Sequence, residues 1–162
     1  MNLLESAQRL GALRAVELAC FRRLGERSAW LEPAGCARWA GSASRAHSWR
    51  ASLIEELLPV SVGLPSFEEL TVIPGGALGD ELGRILPEIG LDSGPATTAE
   101  DGRELVVAMA LGLYPRLVGE YTSLLQLCTP ACDGAVARIM TRALGDLETV
   151  RAEGVELSSR TS

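Results

Sequence analysis

Four stretches of this chain return apolar side chains at three- and four-residue steps, the period of an α-helix that is buried along one side. The first stripe is Leu3, Leu10, Leu13, Cys20 and Leu24, which predicts a helix over 3–27. A second helix opens at Pro33, a residue suited to the first helical turn, and buries Cys36, Ala40, Ala43, His47, Ala51, Ile54 and Leu58 before Pro59 stops it. Trp39 and Trp49 flank that face. A third helix starts after Thr97 or Thr98 as N-cap, with Glu100 and Asp101 in its first turn. Its stripe is Val106, Met109, Leu113, Leu117, Glu120, Leu124 and Leu127, and Pro115 is expected to kink it. Asp133 caps a fourth helix that runs to Ala152 with Val136, Ile139, Ala143, Asp146 and Val150 on one side. Strand-period alternation of useful length is missing, as is any internal repeat.

Between residues 60 and 95 the chain is rich in glycine and proline, with breakers at Leu64-Pro65, Ile73-Pro74-Gly75-Gly76 and Ser93-Gly94-Pro95. One short helical piece is expected there, since Leu78, Leu82 and Ile85 share a face. A connection of that length can carry the chain from one end of a bundle to the other. The economical architecture is all-α: four helices over residues 1–152 with a long crossover (60–95) between helices 2 and 3, and a flexible C-terminal tail over 153–162. With 162 residues, 47% of them hydrophobic, one core can form without metals or disulfides.

The formal charge of −6 and the lack of a dense basic stretch argue against nucleic acid as a partner. No apolar run is long enough for a membrane span, and the N-terminus lacks the features of a signal peptide. A cytoplasmic protein with its four cysteines reduced is the expectation. All 15 basic residues are arginine and Asn2 is the single asparagine, which fits a GC-rich bacterial source.

Each apolar stripe carries one polar residue where an apolar one belongs: Glu17, His47, Glu120 and Asp146. An ionised carboxylate inside a core needs a partner, because burying it alone costs several kcal/mol. Two kinds of partner are open. The four side chains could converge on one metal ion, as a set of one imidazole and carboxylate oxygens that suits iron, manganese or zinc. Alternatively Glu17 pairs with Arg14 or an arginine of another helix, Asp146 pairs with Arg142 or Arg138, and His47 is a hydrogen-bonded core residue. Tyr114, Tyr121, Trp39 and Trp49 read as packing groups with a bonded polar tip.

The segments Ala15-Val16-Glu17-Leu18-Ala19-Cys20-Phe21, Ser44-Arg45-Ala46-His47-Ser48-Trp49-Arg50, Tyr114-Pro115-Arg116-Leu117-Val118-Gly119-Glu120-Tyr121 and Asp146-Leu147-Glu148-Thr149 together resemble the ferritin-like superfamily, in particular actinobacterial members of unassigned function. Di-iron members of that superfamily direct Glu, Glu-x-x-His, Glu and Glu/Asp-x-x-His inward from four successive helices. By this resemblance Glu17, His47, Glu120 and Asp146 stand at metal-ligand positions, whereas Ser44 and Thr149 stand where a bridging carboxylate and a second histidine are lost. The resemblance implies a ferritin-like four-helix bundle with a degenerate di-iron site and with no cofactor or one weakly bound metal ion. The function implied is non-catalytic association, as a homodimer or as a hetero-oligomer with a related ferritin-like chain, and the small-residue second helix suits close contact. One alternative is a non-haem iron oxidoreductase of di-iron or single-metal type. Another is a small-molecule binding bundle whose polar cavity is left by Ser44 and Thr149.

Overall fold

The computed structural model describes residues 2–85, 100–129 and 132–159. The Thr97–Thr98 cap, the Ser93-Gly94-Pro95 breaker and the last residues of the tail lie outside them. Helix α1 spans Leu3–Arg27, with Asn2 accepting a hydrogen bond from the Glu5 N–H at its start. Helix α2 spans Ala34–Glu55, and every residue expected on its inner face is buried, including Leu58 in the turn that follows. A short α3 (Phe67–Leu70) is closed by a capping box between Ser66 and Glu69, and α4 (Gly76–Ile85) buries Leu78, Leu82 and Ile85 on one face as its periodicity predicts. Helix α5 (Gly102–Val107), a π-helical turn (Ala108–Leu113) and α6 (Tyr114–Leu127) form one continuous helical run, and α7 (Gly134–Ser159) is the longest element.

The described residues are therefore all-α apart from one two-residue bridge. Leu31–Glu32 (β1), just before α2, pairs in parallel with Glu100–Asp101 (β2), just before α5. Glu100 and Asp101 thus serve as a bridge and not as the first helical turn expected of them. The largest contact is α1 against α2, while α7 lies against α6, α2 and α5, and α4 covers the π-helical turn. Arg14 fastens α3 from the side, its guanidinium 4.3 Å from the centre of the Phe67 ring and donating to Glu55 and Thr71. None of the helices among the described residues is long and apolar enough to cross a membrane.

Pro115 shapes the third helical run in a way that heptad counting misses. Proline has no N–H, and its ring crowds the carbonyl four residues earlier. The helix responds by widening into a π turn, in which the Tyr114 N–H bonds to the Met109 carbonyl. The Ala110 carbonyl, whose π-type donor would have been residue 115, is instead 3.3 Å from the Arg151 Nε–H of α7. A π turn takes up about one residue more than an α turn, so at roughly 100° per residue everything after it is rotated by about that angle. Counted from Val106 along a plain α-helix, Glu120 would lie within about 40° of the reference side chain and Tyr121 about 60° to its other side. The π turn exchanges them: Tyr121 is fully buried and Glu120 is exposed. Leu127, also expected inside, is 39% exposed.

Two further findings concern α7. Asp133 stands at its N-cap, with its carbonyl accepting the Ala137 N–H at 2.8 Å, but its carboxylate turns back to accept the N–H and hydroxyl of Thr129 at 2.8 and 3.0 Å. The helix also continues through the segment expected to be a flexible tail, as far as Ser159. Gly154 explains why, since a Cβ there would sit 3.0 Å from both Ala110 Cβ and Trp39 Cζ2. The absence of a side chain lets the last turns of α7 lie tightly on α2 and the π turn.

Candidate functional site: a buried polar cluster around Arg50

Glu17 lies in a part of α1 where Ala15, Val16, Ala19 and Cys20 are also buried, so its carboxylate has no path to water. Facing it, α2 presents Ser44, His47 and Arg50 at three-residue steps, all buried. Helix α6 supplies Tyr114 and Tyr121, and α7 supplies Asp146.

Arg50 stands at the centre. Its Nε–H reaches both Glu17 oxygens, at 3.1 and 3.0 Å, and its Nη1 donates to Asp146. The Tyr121 hydroxyl donates to Glu17 Oε1 at 2.7 Å, and His47 Nδ1 is 2.6 Å from Oε2. A carboxylate can only accept, so Nδ1 carries the imidazole proton and Nε2 accepts from the Tyr114 hydroxyl at 3.0 Å. The tyrosine ring is in turn 6.1 Å from that of Trp39, whose indole N–H donates to the Val150 carbonyl. The tyrosines and Trp39 are thus packing groups with bonded polar tips.

The electrostatics follow from this geometry. Burial opposes ionisation of Glu17, but the charge of Arg50 and the hydrogen bonds from His47 and Arg50 outweigh it and hold the carboxyl at about 2. Burial likewise opposes the charge on Arg50, and Glu17 restores it, leaving the guanidinium more firmly protonated than in water. For His47 the balance falls the other way. Burial is the largest influence and Arg50, with Nη2 2.9 Å from Nδ1, adds to it, so the ring is neutral more readily than in water despite Glu17. Burial also pushes both tyrosine hydroxyls and the nearby Cys20 thiol up, with Glu17 contributing in each case.

Of the four residues expected to meet, three do. Glu17, His47 and Asp146 gather around Arg50, and Glu120 is on the outside of α6. The partner of Glu17 is an arginine of another helix, as one reading anticipated, but Asp146 pairs with the same Arg50 and not with Arg142 or Arg138. Arg142 lies instead over the Trp49 ring, 4.9 Å from its centre. Ser44 donates to the Phe21 carbonyl at 2.8 Å, whereas Thr149 is exposed and donates to the Gly145 carbonyl of its own helix. Ser44 and Thr149 therefore face different surroundings, the first inside against α1 and the second on the exposed side of α7.

This donor set does not fit a metal ion. Both oxygens of Glu17 and both ring nitrogens of His47 are taken up by protein groups, and a guanidinium already supplies the positive charge between the carboxylates. Among the described residues no three His, Cys, Asp or Glu side chains are grouped as metal ligands would be. Arg50 is the residue that sequence reasoning missed. Its signal was its place three residues after His47, on a helix face otherwise made of cysteine, tryptophan, alanine, serine and isoleucine.

No protein-family model, curated protein or solved structure matches the chain.

Proposed function

We propose that this chain is a non-catalytic, ferritin-like helical bundle in which a guanidinium has taken the place of a metal centre, and that it works by associating with a second copy of itself. One observation carries the non-catalytic reading: Glu17, His47, Arg50, Tyr114 and Tyr121 are completely or almost completely buried and bonded to one another. A reaction centre needs an open valence or an approach for substrate, and this cluster offers neither. The parallel pairing of the residues that precede α2 and α5 supports a long crossover, because the chain leaving α2 has to return to the end where α2 began. The single-metal oxidoreductase alternative would require Arg50 to leave the cluster.

The surface supports association in a different place from the one first expected. Ala40, Ala43 and Ala51 of α2 are buried within the chain, so that small-residue stripe is used up internally. Val107 and Leu111 are 41% and 55% exposed, one helical turn apart, the first just before the π turn and the second within it. The test combines metal analysis of protein expressed in iron-supplemented medium and purified without chelator with light scattering over a range of concentrations. Metal well below one ion per chain, together with a dimer that Leu111→Glu weakens, is the expected result. Stoichiometric iron lost on Glu17→Ala overturns the non-catalytic reading, and a monomer at every concentration overturns the association.

A further inference from the structure

The exposed Glu120 is not simply a surface charge. It lines a cavity of about 480 Å³ between the early turns of α1, the segment leading into α4 and the C-terminal half of α6. That volume is in the range of roughly 300–1,000 Å³ usual for small-molecule sites. The buried side chains of Leu13, Leu78 and Leu124 contribute an apolar lining. Gln8, Arg9, Glu120 and Ser123 add the polar groups, of which Arg9 and Glu120 carry charge.

The two charges in this cavity do not neutralise each other. Glu120 has neither ion pair nor hydrogen bond among the described residues. Arg9 is 3.6 Å from Glu5 and 3.5 Å from the Ser123 hydroxyl, both at the outer limit of such contacts. A wholly apolar ligand would strip water from both charges and return nothing, which is costly. A plain anion would meet Glu120 and a plain cation would meet Arg9. Only a molecule carrying both signs and an apolar body satisfies the whole lining.

We propose that this cavity binds a small zwitterion with an apolar side chain, of the α-amino acid class. Its ammonium group pairs with Glu120, its carboxylate with Arg9, and its side chain lies on Leu13, Leu78 and Leu124. The site is separate from the Arg50 cluster and does not depend on the proposed function.

Calorimetric titration of the full chain with L-leucine and with L-phenylalanine tests this. At least one of them should bind saturably, at one site per chain, below about 10 mM. Leucinamide or phenylalaninamide, which lack the carboxylate, and the matching carboxylic acid, which lacks the amine, should each bind at least about tenfold more weakly than the parent amino acid. Glu120→Gln and Arg9→Gln should each weaken it by a similar factor while leaving the melting temperature of the free protein unchanged, since both residues are away from the core. Absence of saturable binding by both amino acids overturns the proposal. So does an amide or acid that binds as tightly as its parent, or a Glu120→Gln protein with undiminished affinity.

Discussion

The interior around Arg50 and the cavity beside Glu120 are built from the same chemical groups, carboxylate, guanidinium, hydroxyl and leucine, and they differ in what surrounds the charges. Around Arg50 the charges are held by protein groups fixed on four helices, and water is excluded from all of them but Asp146, which is about one-third exposed. Beside Glu120 the carboxylate is open to solvent, and Arg9 has only distant partners. A buried charge whose partners come from several helices couples those helices, because losing any one partner strands the others without solvent. An exposed charge has water as a substitute and is free to exchange it for a ligand.

The contrast can be broken most directly at Arg50. Arg50→Met leaves Glu17 buried and unpaired, and should cost about 3–5 kcal/mol in urea denaturation. The double variant Arg50→Met with Glu17→Gln should recover part of that loss, since the stranded charge is gone. Equal stability of the two variants would show that Glu17 is not energetically tied to Arg50.

The next largest effect is that of pH. The unfolded chain binds a proton at Glu17 near 4.5, whereas the folded chain does so only near 2, so the contribution of Glu17 is complete above about 4.5 and is lost as pH falls toward 2. His47 adds an earlier loss in the same direction. Its pKa is lowered on folding, so as pH drops through about 6.5 the unfolded state takes up the proton first and is favoured. Unfolding free energies measured from pH 8 down to 3 should therefore decline in two stages, and His47→Gln should remove the first. A flat profile between pH 7 and 5 in the unaltered protein would contradict the neutral, buried imidazole.

Smaller changes sharpen the comparison. Tyr121→Phe removes a hydrogen bond to a buried carboxylate and should cost about 1.5–3 kcal/mol. Tyr114→Phe removes one to a neutral imidazole and should cost about 1 kcal/mol. Glu120→Gln, at the solvated counterpart, should change stability by no more than about 0.5 kcal/mol. If Glu120→Gln proves as costly as Tyr121→Phe in the same denaturation assay, the distinction between the two regions fails.

Much of the scaffold was legible in the residues. The faces of α2 and α4 are buried as their three- and four-residue steps required, because small and aliphatic side chains at helical spacing have only one way to leave water together. Glu17, His47 and Asp146 could be singled out for the same reason, as polar groups interrupting such faces. Arg50 could not, since arginine recurs along the long helices α1, α2 and α7 and its long side chain usually reaches solvent. Glu120 was misplaced because counting by heptads assumes an unbroken helix, and Pro115 breaks that assumption at a distance. The end of α7 was missed because Gly154 looks like a helix terminator and is in fact a contact surface for Trp39.

The π turn also makes this protein sensitive to a change far smaller than a domain rearrangement. Leu111 is 55% exposed, so a chain lacking that residue, and carrying Pro115→Ala to relieve the crowding that widens the turn, would give up little packing and could close into ordinary α-helix. We expect such a deletion to swing Tyr121 toward solvent and Glu120 toward Glu17, setting two carboxylates face to face where a tyrosine had donated to one. Spectrophotometric titration would register the swap as a tyrosine whose ionisation returns toward pH 10, and an unchanged titration would rule it out. Losing one residue, once the proline no longer holds the turn open, is then enough to convert a hydrogen-bonded interior into an acidic one.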